Sequence, residues 1–279
     1  MSHTKNVQKI ADNLAPMDKL VEVMARLRNP EGGCPWDLEQ NFKTIAPHTL
    51  EETYEVVEAI EQDNPQAIKE ELGDLLFQIV FYAQLGREAG LFDLDAIAES
   101  VADKMIERHP HVFGDRDART ADAVLANWEN DKASKREAEA QAGKRIASAL
   151  DGISTALPAN LRALKLQKRA ARVGFDWTDA RDILAKIAEE IGELETEMHA
   201  NNTDAIEDEF GDLLFALINL ARRLQVDPEG ALRRTNRKFE TRFREVERRI
   251  QEGGKTMDQA TLDEMEKIWV AIKMEEKQR

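Results

Sequence analysis

The chain has 279 residues and a net charge of −15, with 54 Asp and Glu against 39 Lys and Arg. A field of that sign disfavours nucleic acid and anionic membrane surfaces as partners. Cys34 stands alone, which excludes an internal disulfide and a CxxC zinc site and suits a reducing compartment. Only 14 Gly and 8 Pro interrupt a chain that is 33% charged, a composition of helices rather than of a sandwich or barrel.

Residues 1–16 read as an N-terminal extension; Met1 to Asn13 carry no apolar stretch of the signal-peptide kind. Thr49 with Glu52 three residues on forms a capping box, so a helix is predicted to start there and to stop at Asn64-Pro65. Residues 67–86 are apolar nearly all round except for a stripe of Glu71, Asp74 and Gln78, which predicts a central helix. Lys104 and Arg108 follow, and His109-Pro110-His111 breaks the next helix. Trp128 and Lys132 close this part. Ala133 to Lys144 is polar and Ala-rich with no apolar stripe, the composition of a flexible or loosely helical linker.

The same order then returns. Leu184, Ile187, Ile191, Leu194 and Met198 mark one face of a helix, and 205–225 is a second central helix. Glu190 and Asp212 each stand 138 residues after Glu52 and Asp74. Lys238 with Arg242, and Trp269 with Lys273, repeat the four-residue spacings of Lys104 with Arg108 and Trp128 with Lys132. The fold class is therefore all-α, with two tandem helical-bundle repeats: residues 17–132, a linker at 133–150, and residues 151–279. The runs Leu75–Ala83 and Leu213–Ala221 fall short of the ~18–20 residues of a membrane span. A soluble, cytoplasmic protein is expected.

Positions three apart share a helical face, so Glu52 and Glu55, Glu71 and Asp74, Glu190 and Glu193, and Glu209 and Asp212 point together in pairs. On solvated faces such pairs need no explanation. Inside a bundle, two carboxylates ~5–6 Å apart repel by roughly 3 kcal/mol at an effective dielectric near 20. That arrangement survives only with protons or hard cations, Mg²⁺ above all. Other features have plain readings beside functional ones. Trp269 fits a core position or a base-stacking face, and Lys238 and Arg242 fit exposed ion pairs. Lys165, Lys168, Arg169 and Arg172 fit a wet helix face or the mouth of a site. His109 and His111 fit a turn, and Cys34 a structural role.

The duplicated order E-x-x-E, spacer, E-x-x-D resembles the all-α nucleoside triphosphate pyrophosphohydrolases. So do the tandem copy, Cys34-Pro35-Trp36-Asp37, Gly174-Phe175-Asp176-Trp177 and Phe239 to Arg244. The resemblance implies a Mg²⁺-dependent homodimeric hydrolase, with Mn²⁺ as a substitute, that converts an NTP to NMP and pyrophosphate. It implies metal ligands at Glu190, Glu193, Glu209 and Asp212, with Glu193 and Glu190 catalytic. Nucleotide contacts fall at Lys238, Arg242, Trp269 and Lys273, with Lys168 beside them. A second possible metal cluster is Glu52, Glu55, Glu71 and Asp74, with Lys104, Arg108, Trp128 and Lys132. Stacking on Trp269 would tolerate every base, hence broad selectivity, housekeeping of the nucleotide pool and a link to alarmone levels. The competing reading is a helical regulatory or binding protein whose acids hold cations structurally.

Overall fold

The structure, a computed structural model, describes residues 14–115, 120–143 and 146–278. The N-terminal segment Met1 to Asn13 and the linker residue Lys144 lie outside them. The described residues form helices and no strand, in two compact units that divide between Ala126 and Asn127.

In the first unit, α1 (Pro16–Leu27) and the short α2 (Pro35–Glu39) lead into a hairpin of α3 (Phe42–Glu61) and α4 (Pro65–Glu88). Next come α5 (Leu94–Arg108) and the single turn α6 (Pro110–Phe113). Helix α4 is the centre: α1, α3 and α5 all pack on it. Its core is Met24, Ile45, Val80, Phe81 and Leu85. Burying Phe81 alone is worth about 1.5–3 kcal/mol. A buried Arg28 guanidinium joins three segments. It donates to both carboxylate oxygens of Glu88 at 2.6–3.1 Å and to the carbonyls of Asp37 and Gln40, and it lies over the Phe81 ring.

The predicted start of α3 at Thr49 is corrected by the structure. Asn41 caps the helix, accepting from the N–H groups of Lys43 and Thr44, while Thr44 Oγ1 accepts from Asn41 N–H. An earlier cap satisfies the orphan donors, so Thr49 sits mid-helix with its hydroxyl on the Ile45 carbonyl and the Tyr82 hydroxyl. Glu52 therefore has no capping duty. The Asn64-Pro65 stop and the break after Arg108 stand where the sequence puts them.

Helix α7 (Ala121–Ala142) crosses the division between the units and carries helix well into the segment read as a linker. In the second unit, α8 (Ala159–Arg172) packs on α10 (Thr203–Arg223), which forms a hairpin with α9 (Ala180–Ala200). Asn201 makes that turn in the left-handed region at φ 55°, where a short polar side chain is tolerated. A second hairpin, α11 (Pro228–Glu252) and α12 (Leu262–Lys277), closes on Val246, Ile250 and Ile272. The apolar face read from the sequence of α9 divides: Ile187 and Leu194 are half-buried, whereas Leu184, Ile191 and Met198 are exposed.

The start of α12 yields a pH prediction. Thr261 Oγ1 accepts from Glu264 N–H, and Glu264 accepts from Thr261 N–H and pairs with Lys255. The Lys255 ammonium, and then the Thr261 amide, draw the Glu264 carboxyl down to about 2 from 4.5. A lowered folded value means stability present above 4.5 and lost as pH falls through about 2. Denaturant melts of wild type and Glu264→Gln are expected to differ fully at neutral pH and to converge between 4.5 and 2.

Candidate functional site

The hairpin of α9 and α10 brings three of the four acids of the second half together. One carboxylate oxygen from each of Glu190, Glu193 and Glu209 lies within 4.8 Å of the others. Glu190 is buried, Glu209 half-buried and Glu193 exposed, so the cluster has a floor and an open side. Burial raises the Glu209 carboxyl, and the charges of Glu193, Glu190 and Asp212 push it further. Asp212 stands outside the tight triad and acts on it through this field. Hairpin α3–α4 builds the same figure from Glu52, Glu55 and Glu71, again within 4.8 Å. There burial and then Asp74 and Glu55 raise Glu52, opposed by a hydrogen bond from Gln78, and burial followed by Glu55 raises Glu71.

Three oxygen donors held by two packed helices, with like charges that raise one another's proton affinity, are the donor chemistry of a hard divalent cation. The residues fit such an ion in both halves.

Lys186, absent from the sequence reading, belongs to the second-half cluster. Its ammonium lies 2.8 Å from Glu189 and 2.9 Å from Glu190, and the two hydrogen bonds raise its pKa. The signal was present as a Lys four residues before a buried acid. In the first half the matching position, 138 earlier, is His48, which stands 3.6 Å from Glu51 and edge-on to Trp36.

Beside the second cluster a cavity of about 100 Å³ opens between α9 and α10. Trp177, Ile183, Phe215 and Ala216 form its apolar wall, Glu190 and Asp212 its acidic border. Asn219 lines it too, and Arg222 donates to Asn219 Oδ1 at 2.7 and 3.1 Å. Arg222 also grips Asp176 of the Gly-Phe-Asp-Trp segment and holds that carboxyl below its ordinary range. Asp176 and Trp177 are thereby tied to α10.

The remaining sequence candidates sit elsewhere. Arg242 donates to Glu276 at 2.6–3.2 Å and lies over the Trp269 ring at 5.8 Å. Trp269 packs against the Val246–Ile250–Ile272 core and 5.3 Å from Phe239. Lys238, Lys273 and Lys168 are exposed on α11, α12 and α8. Lys104 and Arg108 end α5 in the first unit, whereas Trp128 and Lys132 lie on α7 beyond the division. His109 closes on the Met105 carbonyl at the helix break, and Cys34 precedes α2 with its N–H on the Leu27 carbonyl.

Comparison with known proteins agrees with this geometry. The MazG nucleotide pyrophosphohydrolase domain matches the chain twice, at residues 40–113 and 179–247, and each match contains one acidic triad. A nucleoside triphosphate pyrophosphohydrolase of Escherichia coli K12 is 50% identical over 262 residues, 93% of this chain and 98% of that protein. A MazG nucleoside triphosphate pyrophosphohydrolase/pyrophosphatase of Thermotoga maritima is 40% identical over 256 residues, 92% of this chain and 95% of its own length. A nucleoside triphosphate pyrophosphohydrolase of Mycolicibacterium smegmatis is 32% identical over 162 residues, 57% of this chain and 48% of that protein. With its all-α tandem repeat, its duplicated acid clusters and these relatives, the chain belongs to the MazG nucleotide pyrophosphohydrolase family and is a hydrolase.

Proposed function

We propose that the second half hydrolyses nucleoside triphosphates to NMP and pyrophosphate with Mg²⁺, or Mn²⁺ in its place, held by Glu190, Glu193, Glu209 and Asp212. The observation that carries this reading is the approach of Glu190, Glu193 and Glu209 oxygens to within 4.8 Å across two helices. When bound, the cation supplies charge neutralisation at the phosphate oxygens and acidifies water for attack on the α-phosphorus. Glu190, buried and paired with Lys186, fixes the floor of the site. Glu193, exposed on the open side, takes the proton of the attacking water in this reading. Lys238, Lys273 and Lys168 reach solvent and supply positive charge to the departing pyrophosphate, with Arg242 oriented by Glu276 and Trp269. These phosphate contacts are common to all NTPs, so hydrolysis extends across bases and suits housekeeping of the nucleotide pool in the cytoplasm, alarmone levels included.

The working unit is a homodimer in this reading. Leu184, Ile191 and Met198 of α9 and Phe210, Leu214 and Leu217 of α10 each keep two-fifths or more of their surface exposed. Large apolar side chains left in water along both helices are the material of an interface, and a second copy covers them in this reading. The repeats are assigned to residues 17–132 and 151–279. No helix of the described residues is long and apolar enough to cross a membrane.

The test is product analysis. ATP, GTP and dNTPs incubated with the full chain and Mg²⁺ are expected to give NMP and pyrophosphate, and excess chelator to stop the reaction. NDP with phosphate, or turnover unaffected by chelation, overturns the assignment.

A further inference from the structure

The cavity beside the second acid cluster has features the phosphate chemistry does not use. Its walls are apolar and aromatic, Trp177 and Phe215 among them, yet it borders Glu190 and Asp212 directly. Lys186 lines it too, but its ammonium is taken by Glu189 and Glu190; the neutral amide in the lining is Asn219, 4% exposed. Arg222 has only donors to offer, so the Asn219 oxygen must face it and the amide NH₂ faces away. Those N–H donors meet no acceptor among the described residues, and the chain of Asp176, Arg222 and Asn219 fixes their orientation. Trp269, the other aromatic candidate for a base, has Arg242 over its ring and Phe239 beside it.

Resting on the activity proposed above, we infer that this cavity seats the carbonyl-bearing edge of the nucleobase, with Asn219 Nδ2 donating to the carbonyl oxygen. Size fits an edge rather than a whole ring system: about 100 Å³ is smaller than the ~150 Å³ of a cavity known to hold benzene. The ring plane lies against Trp177 and Phe215, and the sugar and phosphates leave toward Glu190 and Asp212. Bases with an oxo group at that edge, guanine and uracil, are bound better than adenine, whose amino group would present a donor to a donor. The first half differs at these positions. Ile183, Phe215, Glu190 and Asp212 recur 138 residues earlier as Ile45, Phe77, Glu52 and Asp74, but Ala216 and Asn219 become Gln78 and Phe81. Both replacements are larger and both are buried, so the first half carries bulk where the second has its seat.

The full chain with Mg²⁺ tests this by two readouts. Calorimetric binding of GMP, UMP and AMP reads the seat without turnover, and KM with kcat for GTP, UTP and ATP reads it in the reaction. GMP and UMP are expected to bind about tenfold tighter than AMP, the worth of one hydrogen bond. Asn219→Asp keeps an oxygen for Arg222 and removes the donors, so the preference for oxo bases is expected to vanish or reverse. Ala216→Gln installs the first-half residue and is expected to raise KM about tenfold for all three substrates with kcat little changed. Equal binding of the three monophosphates by wild type, or an Asn219→Asp protein with the preference intact, overturns the base seat. Base-selective binding without hydrolysis would instead sink the proposed reaction and leave the seat standing.

Discussion

Glu193→Ala is expected to lower Mg²⁺-dependent NTP turnover by more than ~100-fold while leaving the protein folded. Loss of a group that merely orients a metal ligand costs 10–100-fold, and a direct ligand that also takes a proton costs more. Folding survives because Glu193 is the exposed member of its triad and its neighbours Glu190 and Glu209 carry the same sign. Removing one charge relieves the cluster, so the metal-free melting temperature is expected to hold or rise. With Mg²⁺ the two proteins part: wild type gains stability by mass action as the ion binds, and the variant loses most of that gain. Asp212→Ala is expected to behave alike, since its field helps raise Glu209. Near-native turnover in either variant would show the second-half site to be misassigned.

The double change Glu52→Ala with Asp74→Ala is expected to cost far less activity, less than tenfold, than Glu190→Ala with Asp212→Ala. The triads alone give no reason for this, because both meet the same 4.8 Å criterion. Their surroundings do. His48 stands where the second half has Lys186, and Gln78 and Phe81 stand where it has Ala216 and Asn219. Gln78, 8% exposed, hydrogen-bonds Glu52, and its Oε1 has no hydrogen-bond partner. A side chain turned onto the acid cluster and a fully buried Phe81 leave the first half suited to holding a cation and poorly suited to a nucleoside. Steady-state kcat on GTP for the two double variants decides the matter, and equal losses would place catalysis in both halves.

The legible part of this molecule was periodic. The three-residue spacing of acids and the 138-residue offset point to the acids of both clusters, because a helix converts spacing into a shared face, while the standing of Asp212 outside its tight triad is set by the packing of the hairpin. Helices α4 and α10 were equally plain from their apolar girth. The start of α3 was misplaced because Thr49 and Asn41 offer competing caps, and the choice depends on whether the backbone is already helical upstream. Helix α7 runs on through residues with no apolar stripe to announce it. Asn219, Arg222 and Asp176 meet across 43 and 46 residues, a separation no local pattern encodes. The exposure of Leu184, Ile191 and Met198 was hidden for a different reason: hydropathy says that a face avoids water without saying what will cover it.

The buried Arg28 has a consequence for how the first unit comes apart. Its guanidinium serves the end of α1, the turn around α2 and the far end of α4, 60 residues away. Releasing α2 or the end of α4 takes acceptors away from a guanidinium that is 8% exposed, a loss that water makes good only once that corner of the unit has opened. The entry segment is thus fastened at three points by one side chain, so that fraying from this end must first break charge-assisted bonds.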